Sequence, residues 1–283
     1  MAKREILVVL IVFWFLLPSC KKNEALVPVV APQIRKTFEP SNLRPIYACV
    51  SMPYLLEKKK PSAAAVGKIM DFWPNNLNGR TVFRIKFVNG GSDYVRAKIQ
   101  LYAREWERHA NVYFDFVADD QNAEIRISNT LGIGSWSYHG VQNLNIASSQ
   151  ATMNYGWFTD ETPDSEFRRV VMHEFGHMLG LGHEHGNPLV SIQWNKPFVY
   201  FYYLRTNGWS TEVVDHNVFN VCNATHSMYS EYDPTSIMHY PIPKEFTVNG
   251  VSVDWNTELS DQDKNFIQKV YPFAVGTRKG ADL

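Results

Sequence analysis

The chain is 283 residues long, 45% apolar and 14% aromatic, with 28 Lys and Arg balancing 28 Asp and Glu and with three cysteines. That apolar share supplies a core for one large domain and argues against disorder throughout, while a formal charge of zero removes the basic footprint expected of a nucleic-acid partner. Three cysteines, none in a CxxC pair, exclude a disulfide-stapled miniprotein and a zinc ribbon, so any metal must find other ligands.

In chain order, Lys3 and Arg4 precede an uninterrupted apolar run from Ile6 to Leu17. The run is short for a bilayer span and predicts a secretory signal over residues 1–19. Leu17-Pro18-Ser19-Cys20 is similar to a bacterial lipobox, which makes Cys20 the lipidated first residue, the membrane its partner and the cell envelope its location. An ordinary cleaved signal is the plainer alternative. Residues 20–72 are punctuated by Pro28, Pro32, Pro40, Pro45, Pro53 and Pro61, which disfavour long helices and predict an extended tether or propeptide. Cys49 falls in it. A thiolate is a strong zinc ligand, so Cys49 is a candidate zymogen ligand; the alternatives are a bridge to Cys222 or two separate buried thiols.

A catalytic domain is expected over residues 73–275, followed by a tail at 276–283. Thr81 to Val88 alternates and is β-branched, predicting a strand, and Asn89-Gly90-Gly91 a turn. Ser92 is placed to cap a helix whose apolar residues Val95, Ile99, Tyr102, Ala103, Trp106 and Ala110 recur at three and four. Val112–Val117, Ala123–Ser128, Gly134–Tyr138 and Leu144–Ala147 read as four further strands. Thr162 is expected to cap a long helix with Pro163 at its first position and acidic residues in its first turn.

On that helix lie His173, Glu174 and His177 in the pattern HExxH. Residues four apart on a helix differ by about 40° of rotation, so both imidazoles can face one ion with Glu174 beside it. Gly180 is placed to end the helix in the left-handed conformation and return the chain so that His183 supplies a third nitrogen. Three neutral imidazoles and an open fourth position are catalytic zinc chemistry, since a structural site closes its shell with protein ligands. Glu174 can then take the proton of a zinc-activated water and deliver it to a leaving amine. A lone HExxH arises by chance often enough to prove little; the glycine and histidine at fixed offsets in HEFGHMLGLGH make coincidence improbable.

The extended motif resembles the metzincin zinc peptidases, and its HEH ending is similar to the astacin family. Ser236-Ile237-Met238-His239-Tyr240 resembles the Met-turn of that family. The resemblance implies an α+β, two-subdomain fold: a twisted mixed five-stranded sheet with two long helices above the cleft, and a mostly irregular lower subdomain with a C-terminal helix starting at Ser260. It implies one catalytic zinc on His173, His177 and His183, Met238 beneath the metal, and Tyr240 as a switchable fifth ligand that steadies the oxyanion. It also implies that Ser135, Trp136, Ser137 and Tyr138 form the sheet edge along which a peptide or protein substrate is laid antiparallel. Glu184 matches the glutamate that pairs with the new N-terminal ammonium in activated astacins; the alternative is a carboxylate that supports the metal ligands from behind or lies on the surface.

Three departures stand out. The two disulfides of animal astacins cannot form with Cys222 as the domain's one cysteine, Gly186-Asn187-Pro188 replaces an Arg-containing continuation, and the propeptide motif FxGD is absent. Phe198 to Leu204 is expected as a core helix rather than a sugar or membrane contact. His109, His139, His216, His226 and His239 lack ligand spacing. The expected protein is a monomeric, lipid-anchored zinc endopeptidase; its rival is a zinc-binding surface adhesin without turnover.

Overall fold

The computed structural model describes residues 46, 50–51, 71–76, 79–222 and 228–273. The expected signal, Cys20, Cys49, His226 and the tail lie outside them. Among the described residues no helix is long and apolar enough to cross a membrane.

The sheet is mixed, and its order is β1-β5-β6-β4-β2-β3. Strands β2 (Thr81–Asn89), β3 (Val112–Phe116) and β4 (Ile125–Ser128) are parallel neighbours, and β6 (Met153–Asn154) continues the parallel run. Strand β5 (Trp136–Ser137) reverses direction against β6. These five form the expected sheet of an α+β fold. A sixth strand was not foreseen. β1 (Val50–Ser51), from the segment read as a tether, pairs parallel with β5, placing Val50 opposite Trp136 and Ser51 opposite Ser137.

Alternation in β2 buries Phe83, Ile85 and Phe87 on one face, where Phe83 meets Phe114 and Trp73 edges onto Phe83. Helix α1 (Asp93–Ala103) starts where Ser92 Oγ accepts from Val95 N at 3.2 Å. Its inner face carries Val95, Ile99 and Ala103 and packs on α2 (Asp164–Met178). Leu144–Ala147 is not a strand. Gly140–Asn145 is a 3-10 turn, and the loop after it hangs on Arg126, whose guanidinium donates to the carbonyls of Ala123, Glu124, Ile146, Ala147 and Gln150. Side-chain donors thus hold backbone acceptors that a ladder would otherwise need. The strand expected there is supplied by Met153–Asn154.

Helix α2 runs through the core, buried on nearly every face from Phe167 to Met178. Its start is one residue later than expected. Pro163 has an extended ψ of 145° and caps the helix, while Thr162 Oγ1 accepts from Thr159 N in the preceding turn. Its end is the expected one. Gly180 has φ +103°, its N–H donates to His177 O, and Leu181 N–H donates to Gly176 O, the paired bonds that reverse a chain at a left-handed glycine. Three side chains fasten the helix: Trp106 Nε1 to Met172 O, Trp73 Nε1 to Met178 O, and Tyr271 Oη to Leu179 O. The packed body reaches back beyond Trp73, since Asp71 O accepts from Val141 N, and a Cβ on Gly180 would meet Phe72.

Beyond Gly180 the chain is coil-rich. It contains α3 (Lys196–Asn207), α4 (Thr211–Val214) running into a π-turn at Asp215–Phe219, and α5 (Asp261–Val270). α3 holds the aromatic run inward as expected, burying Phe198, Val199, Tyr202 and Tyr203. α5 opens with a capping box formed by Ser260 and Asp263.

Candidate metal centre and active site

One turn of α2 separates His173 from His177, and the Gly180 reversal returns the chain so that His183 joins them. One ring nitrogen from each lies within 4.8 Å of the others. Each α2 imidazole is oriented by a carbonyl: His173 Nδ1 bonds Ile237 O and His177 Nδ1 bonds Leu181 O, both at 2.8 Å. A carbonyl can only accept, so the proton sits on Nδ1 and each Nε2 presents a lone pair to the centre. His177 Nε2 and His183 Nε2 are 3.1 Å apart, and His173 Nε2 is buried without a hydrogen-bond partner among the described residues. A tetrahedral ion with bonds of about 2.0–2.1 Å needs a ligand separation of about 3.3 Å. The residues therefore fit one catalytic zinc ion. Burial holds all three imidazoles well below their usual pKa, with repulsion from neighbouring imidazoles adding to it, which favours the neutral form that binds metal.

Glu174 lies between the two α2 ligands and is wholly buried. The Tyr240 ring stands 4.2 Å from that of His183 and 6.0 Å from that of His173. Met238 is buried beneath the same helix. A residue that motif reading passed over makes this approach available: a Cβ at Gly176, the glycine inside HEFGH, would overlap Met238 Sδ. A glycine inside a helix costs about 1 kcal/mol relative to alanine, which was the signal that something packs there.

The Met-turn is also held from a distance. Asp263 Oδ2 accepts from Ile237 N at 2.8 Å and from Ser260 N at 3.0 Å, and Oδ1 accepts from Ser236 Oγ at 2.7 Å. Since Ile237 O in turn orients His173, the first turn of α5 is tied to that imidazole through a single residue, Ile237. Burial raises the Asp263 carboxyl, and these hydrogen bonds partly offset it.

Of the other histidines, His139 is buried and stacks on His177 with centroids 4.5 Å apart and planes 14° from parallel. The His185 ring lies 4.7 Å from that of Tyr240, tilted by 34°, and its Nε2 bonds Asn217 O at 2.9 Å. Burial lowers His185 to about 3 and His239 to about 4. His239 Nδ1 bonds Tyr240 O, and Tyr232 Oη bonds its Nε2.

Glu184 is not a surface carboxylate. It is 9% exposed and its Oε1 accepts from Asn187 Nδ2 and Asp233 N. Burial pushes its pKa up to about 7. It borders a small cavity shared with Leu181, Asp233, Ser236 and Asp263. Cys222 is buried against Phe266, with its N–H bonded to Gly186 O, and is not part of the three-histidine group. In the edge strand, Ser135, Ser137 and Tyr138 are buried and Trp136 is partly exposed, so main chain rather than side chain is what β5 offers a partner.

Among solved structures, a structure of myroilysin aligns at 46% identity with a TM-score of 0.70, covering 74% of this chain and 99% of that one. A crystal structure of myroilysin aligns at 42% identity with a TM-score of 0.57, covering 83% and 97%. No protein-family model and no curated protein matches the chain. Myroilysin is an astacin-family zinc metalloprotease. With that identity over nearly the whole of the matched chains, and with the three-histidine centre in place, the chain belongs to the astacin family of zinc metalloproteases.

Proposed function

We propose that the protein is an exported endopeptidase in which Glu174 is the general base, Tyr240 the oxyanion-stabilising group, and the β5 edge the track for an extended protein substrate. The observation that carries this is the arrangement around α2: two oriented imidazoles four residues apart, Glu174 between them in sequence, and His183 closing the triad. Zinc, when bound, supplies a Lewis acid that polarises the peptide carbonyl and acidifies a water molecule. Glu174 accepts the proton of that water and later returns it to the leaving nitrogen, a desolvated carboxylate being suited to both roles. The Tyr240 phenol donates to the oxygen on which negative charge develops. Met238 forms the floor, and the stacked His139 ring braces His177.

Latency is part of the same reading. Ile46 is docked on α3, and Val50 and Ser51 occupy the β5 edge, so the segment flanking Cys49 competes for the substrate track. Cys49 is the proposed zinc ligand of the zymogen, in preference to a bridge with Cys222. On maturation the new N-terminal ammonium would enter the Glu184 cavity. Cleavage between Cys49 and Trp73 would also free a chain anchored through a lipid on Cys20 after removal of residues 1–19, releasing a monomeric enzyme from the cell envelope.

The test is Glu174→Gln in matured protein. Zinc content should stay stoichiometric while casein turnover falls by about 10²–10⁴-fold; normal turnover would sink the mechanism. For latency, Cys49→Ala should give zymogen activity without cleavage, and undiminished latency would remove the thiol from the scheme.

A further inference from the structure

Ile46 is seated more firmly than a tether residue needs to be. Its side chain is 7% exposed and joins the main hydrophobic core. Its N–H donates to Tyr202 Oη at 2.9 Å, and its carbonyl accepts from Asn207 Nδ2 at 3.3 Å. Both partners belong to α3. Tyr202 is held by edge contacts with Phe246 at 5.0 Å and Tyr203 at 5.4 Å. Asn207 is oriented by Thr206 Oγ1, which bonds its Oδ1 at 2.6 Å and leaves Nδ2 to face Ile46. An acceptor for one main-chain N–H, a donor for the same residue's C=O and an apolar recess between them read an extended peptide residue from any chain.

We propose that this Tyr202–Asn207 socket is a substrate subsite of the matured enzyme, selecting an aliphatic residue of the bound peptide. The proposal rests on the proteolytic reading above and on removal of the segment that fills the socket. Val50 lies four positions after Ile46, so socket and edge strand are at most about 14 Å apart, within reach of one peptide. The direction follows from pairing. β1 runs parallel to β5, whereas the family resemblance implies an antiparallel substrate there, so the order of contacts inverts. Substrate residues on the β5 edge come first, and the socket residue lies about four positions nearer the substrate's C-terminus, on the leaving-group side.

The experiment uses zinc-loaded matured enzyme and quenched-fluorescence peptides. One peptide ends before the socket; longer ones place Ile or Asp, in turn, three to six positions beyond the edge-paired residues. Wild type should cleave the best Ile peptide at least about tenfold faster in kcat/KM than its Asp counterpart. Tyr202→Phe and Asn207→Ala, each checked by thermal melting, should lower the long-to-short kcat/KM ratio by about three- to tenfold. Equal rates for Ile and Asp at every position, or an unchanged ratio in both variants, would overturn the proposal. Should wild type cleave no peptide, the proteolytic reading fails, and anisotropy of a labelled peptide of residues 43–52 carrying Cys49→Ser then decides the socket. Weaker binding on Ile46→Asp in that peptide supports it, and equal binding refutes it.

Discussion

On the N-terminal side of Gly180, β2, β3 and β4 are joined by a parallel backbone ladder and covered by α1 and α2. On the C-terminal side the described residues contain no strand longer than an isolated bridge, at Trp194 with Thr247 and Ile242 with Val253. There the chain is held by side chains bonded to main chain: Asp263 to Ile237 N, His185 to Asn217 O, Asn256 to the carbonyls of Pro234 and Ser236. A ladder shares its load over many equivalent bonds. A set of single polar ties concentrates it on a few residues, because each buried group that loses its partner carries a desolvation cost of about 1–3 kcal/mol. The three-histidine site lies where the two regimes meet, with two imidazoles from α2 and one from the coil.

If that contrast is right, acid should act most strongly, and largely through the junction. His173, His177, His183, His185 and His239 all have pKa values lowered by burial. Unfolded chains take up protons near pH 6.5 that the folded chain refuses, so stability falls as pH drops below that value, by up to about 1.4 kcal/mol per unit for each such histidine. Glu184, raised to about 7, acts in the opposite sense and offsets one of the five over this window. Metal-free protein should therefore melt at a markedly lower temperature at pH 5.5 than at pH 7, and a flat profile would show that these rings charge in the folded state.

Asp263→Ala should cost about 3 kcal/mol or more by denaturant titration, because it strands the N–H groups of Ile237 and Ser260 and the Ser236 hydroxyl. It should also weaken zinc retention through Ile237 and His173. A purely stabilising role would leave zinc affinity unchanged. Gly176→Ala should cost about 1–3 kcal/mol by forcing Met238 away, with smaller loss when Met238→Ala is present; additive losses would mean the two do not meet. The finest comparison pairs two caps. Ser92→Ala should cost about 1 kcal/mol and spare turnover. Ser260→Ala removes a similar bond, to Asp263 N, but loosens the carboxylate that holds the Met-turn, so turnover should fall too. Identical behaviour of the two caps would dissolve the contrast between the halves.

The zinc ligands were legible because HExxH is local: helix geometry sets the relation of His173 to His177, and a left-handed glycine sets the reversal to His183. The Ser92 cap, the inward aromatic face of α3 and the Ser260 cap were legible for the same reason. Leu144–Ala147 was misread because its β-like residues are governed by Arg126, eighteen or more positions away, and not by their own alternation. Gly176 and Asp263 were in view without their roles, since each acts on a segment more than twenty residues distant.

By itself the sequence determined the metal, its three ligands and the family, because that chemistry is written within eleven consecutive residues and one Met-turn. The tertiary structure decided how Ile237 and Met238 are held, which carboxylates are buried, and that Val50–Ser51 runs parallel along the β5 edge while Ile46 is seated on α3. Those are pairings between distant stretches, and no local periodicity encodes the register or direction in which two distant segments meet.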